Sequence, residues 1–277
     1  MNSDFSLTVY RHLLNAIKGT GWRVFPLHDF FKARQKGAPF FIMRHDVDRR
    51  PEHALAMARV EYDFGVRSTY YFRVNRAVFR EAVIKRISEM GHEVGYHYEV
   101  MDKARGDPRR AKQIFISELN RLRSLAKVTT ACMHGNPLSG RDNREFWRYY
   151  TPAQFDLLGE AYISINERDL FYATDTGRGW NRSSYNLKDH FPEGRLRSLP
   201  AVPGTRDLIS MIEKKEYKHL YLLTHPNRWS RTRGQWYRQW VEDACLNVIK
   251  ALLGTCRRIG KGRHESPFDK PSLHDNG

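Results

Sequence analysis

Pro39–Asp48 reads PFFIMRHDVD, a short apolar run that ends in charged residues. This is the pattern of a buried strand whose C-terminal end carries polar groups. The next segment is helical. Pro51–Phe64 (PEHALAMARVEYDF) has apolar residues at helical spacing, Pro in the first turn and Gly65 as a stop. Ser68–Val74 (STYYFRV) is β-branched and aromatic, hence a strand. Ala77–Met90 is helical again and closed by Gly91, and Glu93–Glu99 (EVGYHYE) is the next strand. Pro108–Leu125 forms an amphipathic helix and Thr129–His134 (TTACMH) a short strand.

The second half is less regular. Glu160–Ile165, Leu170–Thr174 and Leu196–Leu199 are expected as short strands, and Arg206–Lys215 as a helix. Lys218–Thr224 (KHLYLLT) is a strong strand before a long helix over Gln235–Arg257. Repeated strand–helix alternation implies parallel strands with right-handed crossovers, in an open doubly wound sheet or a closed or nearly closed barrel. The polar residues decide between them. Asp46, Asp48, His97, His134 and His225 each fall at the C-terminal end of an expected strand. In a β/α barrel those ends share one face, and that face carries the chemistry. The expected fold is therefore α/β, a closed or nearly closed (β/α) barrel over residues 39–259. A helical N-terminal extension (1–38) packs on it, and a loose tail (260–277) follows.

The chain has 277 residues, 40% hydrophobic and 13% aromatic, enough to exclude a wholly disordered chain and to bury a core without staples. Three cysteines, Cys132, Cys245 and Cys256, form no close-spaced metal or redox motif. There is no signal-peptide-like N-terminus and no apolar run of membrane-spanning length, so the expected compartment is the cytoplasm. The formal charge is +16, with basic residues densest in Arg228–Arg238 (RWSRTRGQWYR) and Cys256–Arg263 (CRRIGKGR). Such charge suits a phosphate-bearing substrate, an anionic membrane surface or simply a solvated surface. No nucleic-acid motif accompanies it, so no specific nucleic acid is expected.

Asp46 and Asp48 are two apart on a strand and point the same way. Their mutual repulsion is relieved by a bound divalent cation, unless they are capping aspartates before Pro51. His97 is a candidate metal ligand, and Gly95 before it would let another group approach closely. His92 lies at the far end of that strand and reads as structural. His134 and His225 each close a strand, and Pro226 keeps His225 extended at the rim, where it can donate a proton to a leaving group. Asp175, after a short strand, can hold a histidine in one tautomer, while Trp180 can wall a sugar ring or simply sit buried under a turn. Tyr98 and Arg178 join Trp180 as expected substrate contacts.

From Phe40 to about His134 the chain resembles the polysaccharide deacetylase family, the NodB-homology carbohydrate esterases. The aspartate pair is followed by Phe64–Phe72 (FGVRSTYYF), similar to the family's G-V-x-A-T-F-F, and Met90–His97 (MGHEVGYH), similar to its G-H-E-I-G-N-H. Leu222–His225 (LLTH) resembles its late L-x-H motif. The resemblance implies a distorted β/α barrel, Asp46 as catalytic base, Asp48 and His97 as metal ligands and His225 as general acid. Asp175 and Trp180 fall where the family has an Asp and a Trp that support the acid. The family's second histidine, four residues after the first, is here Met101, so Glu99 or His134 supplies the third ligand, with His134 favoured by its own strand end. The family's R-x-P motif is replaced by His134–Pro137 (HGNP), which removes an arginine that orients the base.

The implied function is metal-dependent removal of an acetyl group from an N- or O-acetylated sugar in glycan or surface-polysaccharide biosynthesis. The cofactor is one divalent ion, zinc first, then cobalt, nickel or manganese. The substrate is an acetylated sugar, sugar nucleotide or lipid-linked glycan, with peripheral contact to an anionic membrane in view. The alternative is a catalytically inactive, glycan-binding descendant of the same fold.

Overall fold

In a computed structural model, residues 4–33, 37–136, 139–181, 188–192 and 195–260 are described, with backbone alone at 246, 247 and 249–260. Strand β2 (Phe40–Val47) is buried at every position, as its unbroken apolar run requires of a strand covered on both faces. It pairs in parallel along one edge with β9 (His219–Thr224). The other edge is shared: β1 (Arg23–Phe25) pairs Phe40–Ile42 and β3 (Thr69–Phe72) pairs Arg44–Val47. From β3 the sheet continues through β4 (Glu93–Tyr98), β5 (Thr130–Met133) and β6 (Gly159–Glu160). From β9 it continues through β7 (Phe171–Thr174) and β8 (Arg197–Ser198). Every ladder is parallel.

Helices α3 (Pro51–Asp63), α4 (Glu81–Glu89), α6 (Pro108–Arg123) and α7 (Thr205–Glu213) make the crossovers. Local chemistry starts and stops them. Asp107 accepts from the backbone N–H groups of Arg109 and Arg110 ahead of Pro108, and Gly91 takes the positive φ of +81° that closes α4. Arg44 on β2 shows how far the sheet curls. Its guanidinium lies 2.6 Å from the hydroxyl of Tyr162, just beyond β6, four places along the sheet. In a flat sheet those strands would stand about 19 Å apart, four spacings of about 4.8 Å. The strands thus form an open, distorted barrel; among the described residues β6 and β8 do not pair.

The N-terminal segment is more than an extension. Besides α1 (Leu7–Gly19) and α2 (Leu27–Lys32) it supplies β1 to the sheet. Phe5, Tyr10, Leu13, Leu14 and Ile17 form a core layer with Phe41, Met43, Trp180 and Trp229. Two expected elements are shorter than read. The strand expected over 160–165 ends at Glu160, whose carboxylate accepts from the N–H groups of Tyr162 and Ile163 and turns the chain. Helix α4 begins at Glu81 rather than Ala77, because Asn75 Oδ1 caps a separate turn at Ala77 and Val78. The last helix, α8, spans Arg233–Gly260, and the expected tail beyond it lies outside the described residues.

Candidate metal centre

Alternation along β2 sends Arg44 and Asp46 to one face, and Asp48 follows at the strand's C-terminal end. Three histidines from three other strand ends surround Asp48. His97 Nε2 is 3.2 Å and His134 Nε2 3.6 Å from Asp48 Oδ1, and His225 Nε2 is 3.9 Å from Oδ2. His97 Nδ1 lies 3.1 Å from the Cys132 carbonyl. A carbonyl only accepts, so Nδ1 carries the proton and Nε2 presents its lone pair to the centre. His134 Nδ1 lies 3.3 Å from Glu99, so a carboxylate stands behind the second imidazole at ion-pair distance, without hydrogen-bond geometry. Burial alone raises the Asp48 carboxyl, but His134, His97 and His225 outweigh it and hold it well below the usual carboxylate range. Glu99 is held low likewise, by His134, Arg73 and Lys103 against the effect of burial.

Asp46 sits deeper, 1% exposed, and its two carboxylate oxygens each accept from the Arg44 guanidinium at 2.9 Å. Tyr221 and Tyr162 hydroxyls, 3.0 and 2.6 Å from Arg44, complete that buried ion's shell. A second donor set, Asp46, His97 and the Cys132 thiol, has ligand atoms within 4.8 Å of one another. Burial pushes the Cys132 thiol well up, and both Asp46 oxygens are already engaged by Arg44, so this set is poorly prepared for a cation.

Across the centre, Asp175 is fully buried and organises His225. Its oxygens lie 2.6 Å from His225 Nδ1 and accept from the His225 backbone N–H at 2.9 Å, the Arg228 guanidinium at 2.7 Å and the Trp229 indole N–H at 3.0 Å. Burial raises this carboxyl, but Arg228 and His225 bring it down to about 2. An ionised Asp175 fixes the proton on Nδ1 and aims Nε2 at the centre.

Six of the residues singled out from sequence thus converge: Asp46, Asp48, His97, His134, Asp175 and His225. The expected substrate contacts do not. Trp180 is wholly buried, with its indole N–H donated to Thr205, and belongs to the core layer under α1. The tryptophan that meets Asp175 is Trp229 instead. Tyr98 points away from His97, as its neighbour on a strand must, and packs among Phe115, Phe146 and Trp147. Arg178 pairs with Asp243 of α8 at 3.2 Å and lies over the Phe5 and Trp236 rings. Met101 is buried in α5 (Val100–Lys103) and adds no ligand atom.

Sequence reasoning missed four residues. Arg44 supplies the arginine expected to be lost, and its signal was a cation two residues before Asp46 inside a buried run. Arg228 and Trp229 follow His225 by three and four residues in HPNRW. Asp189, whose Oδ2 is 3.8 Å from His225 Nε2 and accepts from Thr176 at 2.7 Å, carried no signal in its own neighbourhood.

No family model and no curated protein matches the chain. Solved structures do. A CE4 family pseudoenzyme from Bacillus anthracis aligns at 12% identity over 83% of this chain and 64% of that one, with a TM-score of 0.38. A mutant of it with restored enzymatic activity aligns at 13% identity over 82% and 65%, TM-score 0.38. This chain therefore spans under two thirds of the length of those proteins. The peptidoglycan deacetylase PdaC from Bacillus subtilis aligns at 11% identity over 76% of this chain and 96% of its own, TM-score 0.37. At these values the roles of individual residues rest on the geometry above.

Proposed function

We propose that this chain is a metal-dependent carbohydrate deacetylase that hydrolyses an N- or O-acetyl group on a sugar. The observation that carries the reading is the convergence of one carboxylate and two imidazoles, Asp48, His97 and His134, between an arginine-held aspartate and an aspartate-held histidine. This donor set suits a borderline divalent ion such as zinc: two neutral imidazole nitrogens and one carboxylate, with outer-sphere acceptors fixing the first imidazole and backing the second. A divalent ion bound there supplies Lewis-acid chemistry, polarising the acyl carbonyl and acidifying water.

The chain's own residues supply the proton transfers. Asp46 accepts the proton of the attacking water, and Arg44 holds its carboxylate in one orientation. His225 Nε2 delivers a proton to the departing amine or alcohol as the carbonyl carbon–heteroatom bond breaks, leaving acetate. Asp175, braced by Arg228 and Trp229, orients the His225 ring. Asp189 at the same nitrogen is a further acceptor for a sugar hydroxyl. The charge of +16 favours an anionic substrate, a sugar nucleotide or lipid-linked glycan.

The test is metal content beside acetate release. Wild-type protein loaded in zinc is expected to hold about one ion per chain, as three protein ligands with an open position do. Asp48→Ala and His97→Ala lose it, and His134→Ala weakens it. Asp46→Asn keeps the metal and loses deacetylation. Full activity in Asp46→Asn removes Asp46 from the base role. A protein that takes no metal but still binds glycans is the inactive descendant, which the loss of a histidine at Met101 makes the second reading.

A further inference from the structure

Helix α8 carries an apolar stripe on the side that faces away from the protein. Tyr237, Trp240, Val241 and Val248 are 65%, 50%, 52% and 61% exposed, and Cys245 is exposed between them. With Ala244 they follow the spacing i, i+3, i+4, i+7, i+8, i+11, which is one face of a helix. The opposite face pins α8 to the molecule. The Trp236 indole donates to the Asp4 carbonyl at 2.6 Å, Gln239 contacts His53 at 3.2 Å, and Glu242 and Asp243 pair with Arg50 and Arg178 at 2.6 and 3.2 Å. The stripe is thus a contiguous aromatic and aliphatic surface that folding leaves uncovered by the described residues, of the kind that marks an interaction site.

We propose that this face of α8 docks on an anionic lipid surface. The charge around it selects that occupant. Glu242 is shared between Arg50 and Arg238, and Asp243 is taken by Arg178, so both acids of this stretch are spent inside the protein. Arg233 stays exposed one turn before Tyr237, and Arg231, exposed just ahead of the helix, lies by Arg50 and His53. A second copy would bring another chain of +16 against these arginines, whereas an anionic leaflet attracts them. Trp and Tyr on the apolar face and Arg at its border are the composition of a helix that lies in the interface plane. No helix among the described residues is long and apolar enough to cross a membrane. The helix is tied through Arg50 and Arg178 to the loops that follow Asp48 and Asp175. The proposal does not depend on the deacetylase reading.

Vesicle flotation of the full chain tests it, with phosphatidylcholine alone and with about 30% phosphatidylglycerol, at low and high salt. Wild type is expected to float only with the anionic vesicles, and less at high salt. The Trp240→Ser/Val241→Ser and Arg231→Glu/Arg233→Glu variants each lower partitioning by about tenfold or more while keeping wild-type metal content. Asp48→Ala floats like wild type, which separates failure of this proposal from failure of the metal site. The proposal is overturned if wild type does not float, or if the Trp240→Ser/Val241→Ser variant floats equally well. It is also overturned if wild type is a dimer that this variant turns into a monomer, since a second copy then covers the face.

Discussion

Arg44 and Asp46 form a bidentate ion pair that is almost wholly buried, 0% and 1% exposed. Burial pulls the guanidinium down, yet Asp46 outweighs it and raises it well above its ordinary value, so Arg44 stays charged. Such a pair is costly to break from one side, because the survivor is a buried, uncompensated charge. Arg44→Leu is therefore expected to lose about 3–5 kcal/mol in urea unfolding, and Arg44→Leu/Asp46→Leu to recover a good part of it. A double variant as unstable as the sum of the two single ones would show that the pair does not couple. Where the R-x-P motif is absent, Arg44, two residues upstream of Asp46 on its own strand, holds the Asp46 carboxylate.

At the scale of elements, Gly95 explains how β4 fits beside β3. The sequence suggested that its bare backbone admits a close neighbour, and the neighbour is the Tyr71 ring from the paired position on β3. A Cβ at residue 95 would lie 2.2 Å from Tyr71 Cε1. That ring is fully buried and hydroxyl-bonded to Thr130 at 2.8 Å, so it cannot swing aside freely. Gly95→Ala is expected to cost about 1–3 kcal/mol, as overpacking in cores does. It should also loosen metal binding, since His97 is carried two residues further along the same strand. Unchanged thermal stability in this variant would mean that the sheet yields at this point. The histidine-bearing ends were legible in the sequence because each strand stops in polar residues. Tyr98, by contrast, faces away, for residue alternation turns the neighbour of a site residue away from the site.

For the whole molecule, Glu61 ties the outer layer together. This buried carboxylate on α3 accepts from Tyr10 of α1, from Tyr70 of β3 at 2.6 Å and from Ser68 at 2.6 Å, and meets His45 of β2 at 2.8 Å and His92 at 3.6 Å. Burial, with Glu61 beside them, pushes the Tyr10 and Tyr70 phenols well up, so both remain donors. Burial also works to raise Glu61, but His45, His92 and Ser68 outweigh it and bring it from 4.5 to about 2. A carboxyl depressed in the folded state adds stability that is complete above its unfolded value and disappears as pH falls through the folded one. The contribution is thus whole above pH 4.5 and lost toward pH 2. Glu61→Gln should be less stable at neutral pH and show a shallower decline over that range, measured by urea midpoints. Asp175, also depressed to about 2, keeps part of the slope in the variant. Acid profiles that run parallel in variant and wild type would remove Glu61 from this role.

Local chemistry decides much of this protein before it folds. Apolar runs ending in Asp or His, helices opened by proline and closed by glycine, and their alternation through the first half specify a parallel sheet with its ionisable groups at one end. Those signals are written within a few residues of each other, which is why Asp46, Asp48, His97, His134, Asp175 and His225 could be picked out of the chain. Contacts between distant segments leave no such trace. That β1 completes the edge of β2, that Trp229 rather than Trp180 braces Asp175, and that Asp189 reaches His225 all depend on how the sheet curls. Curling is set by the packing of many side chains at once, and only the folded chain brings those partners within bonding distance.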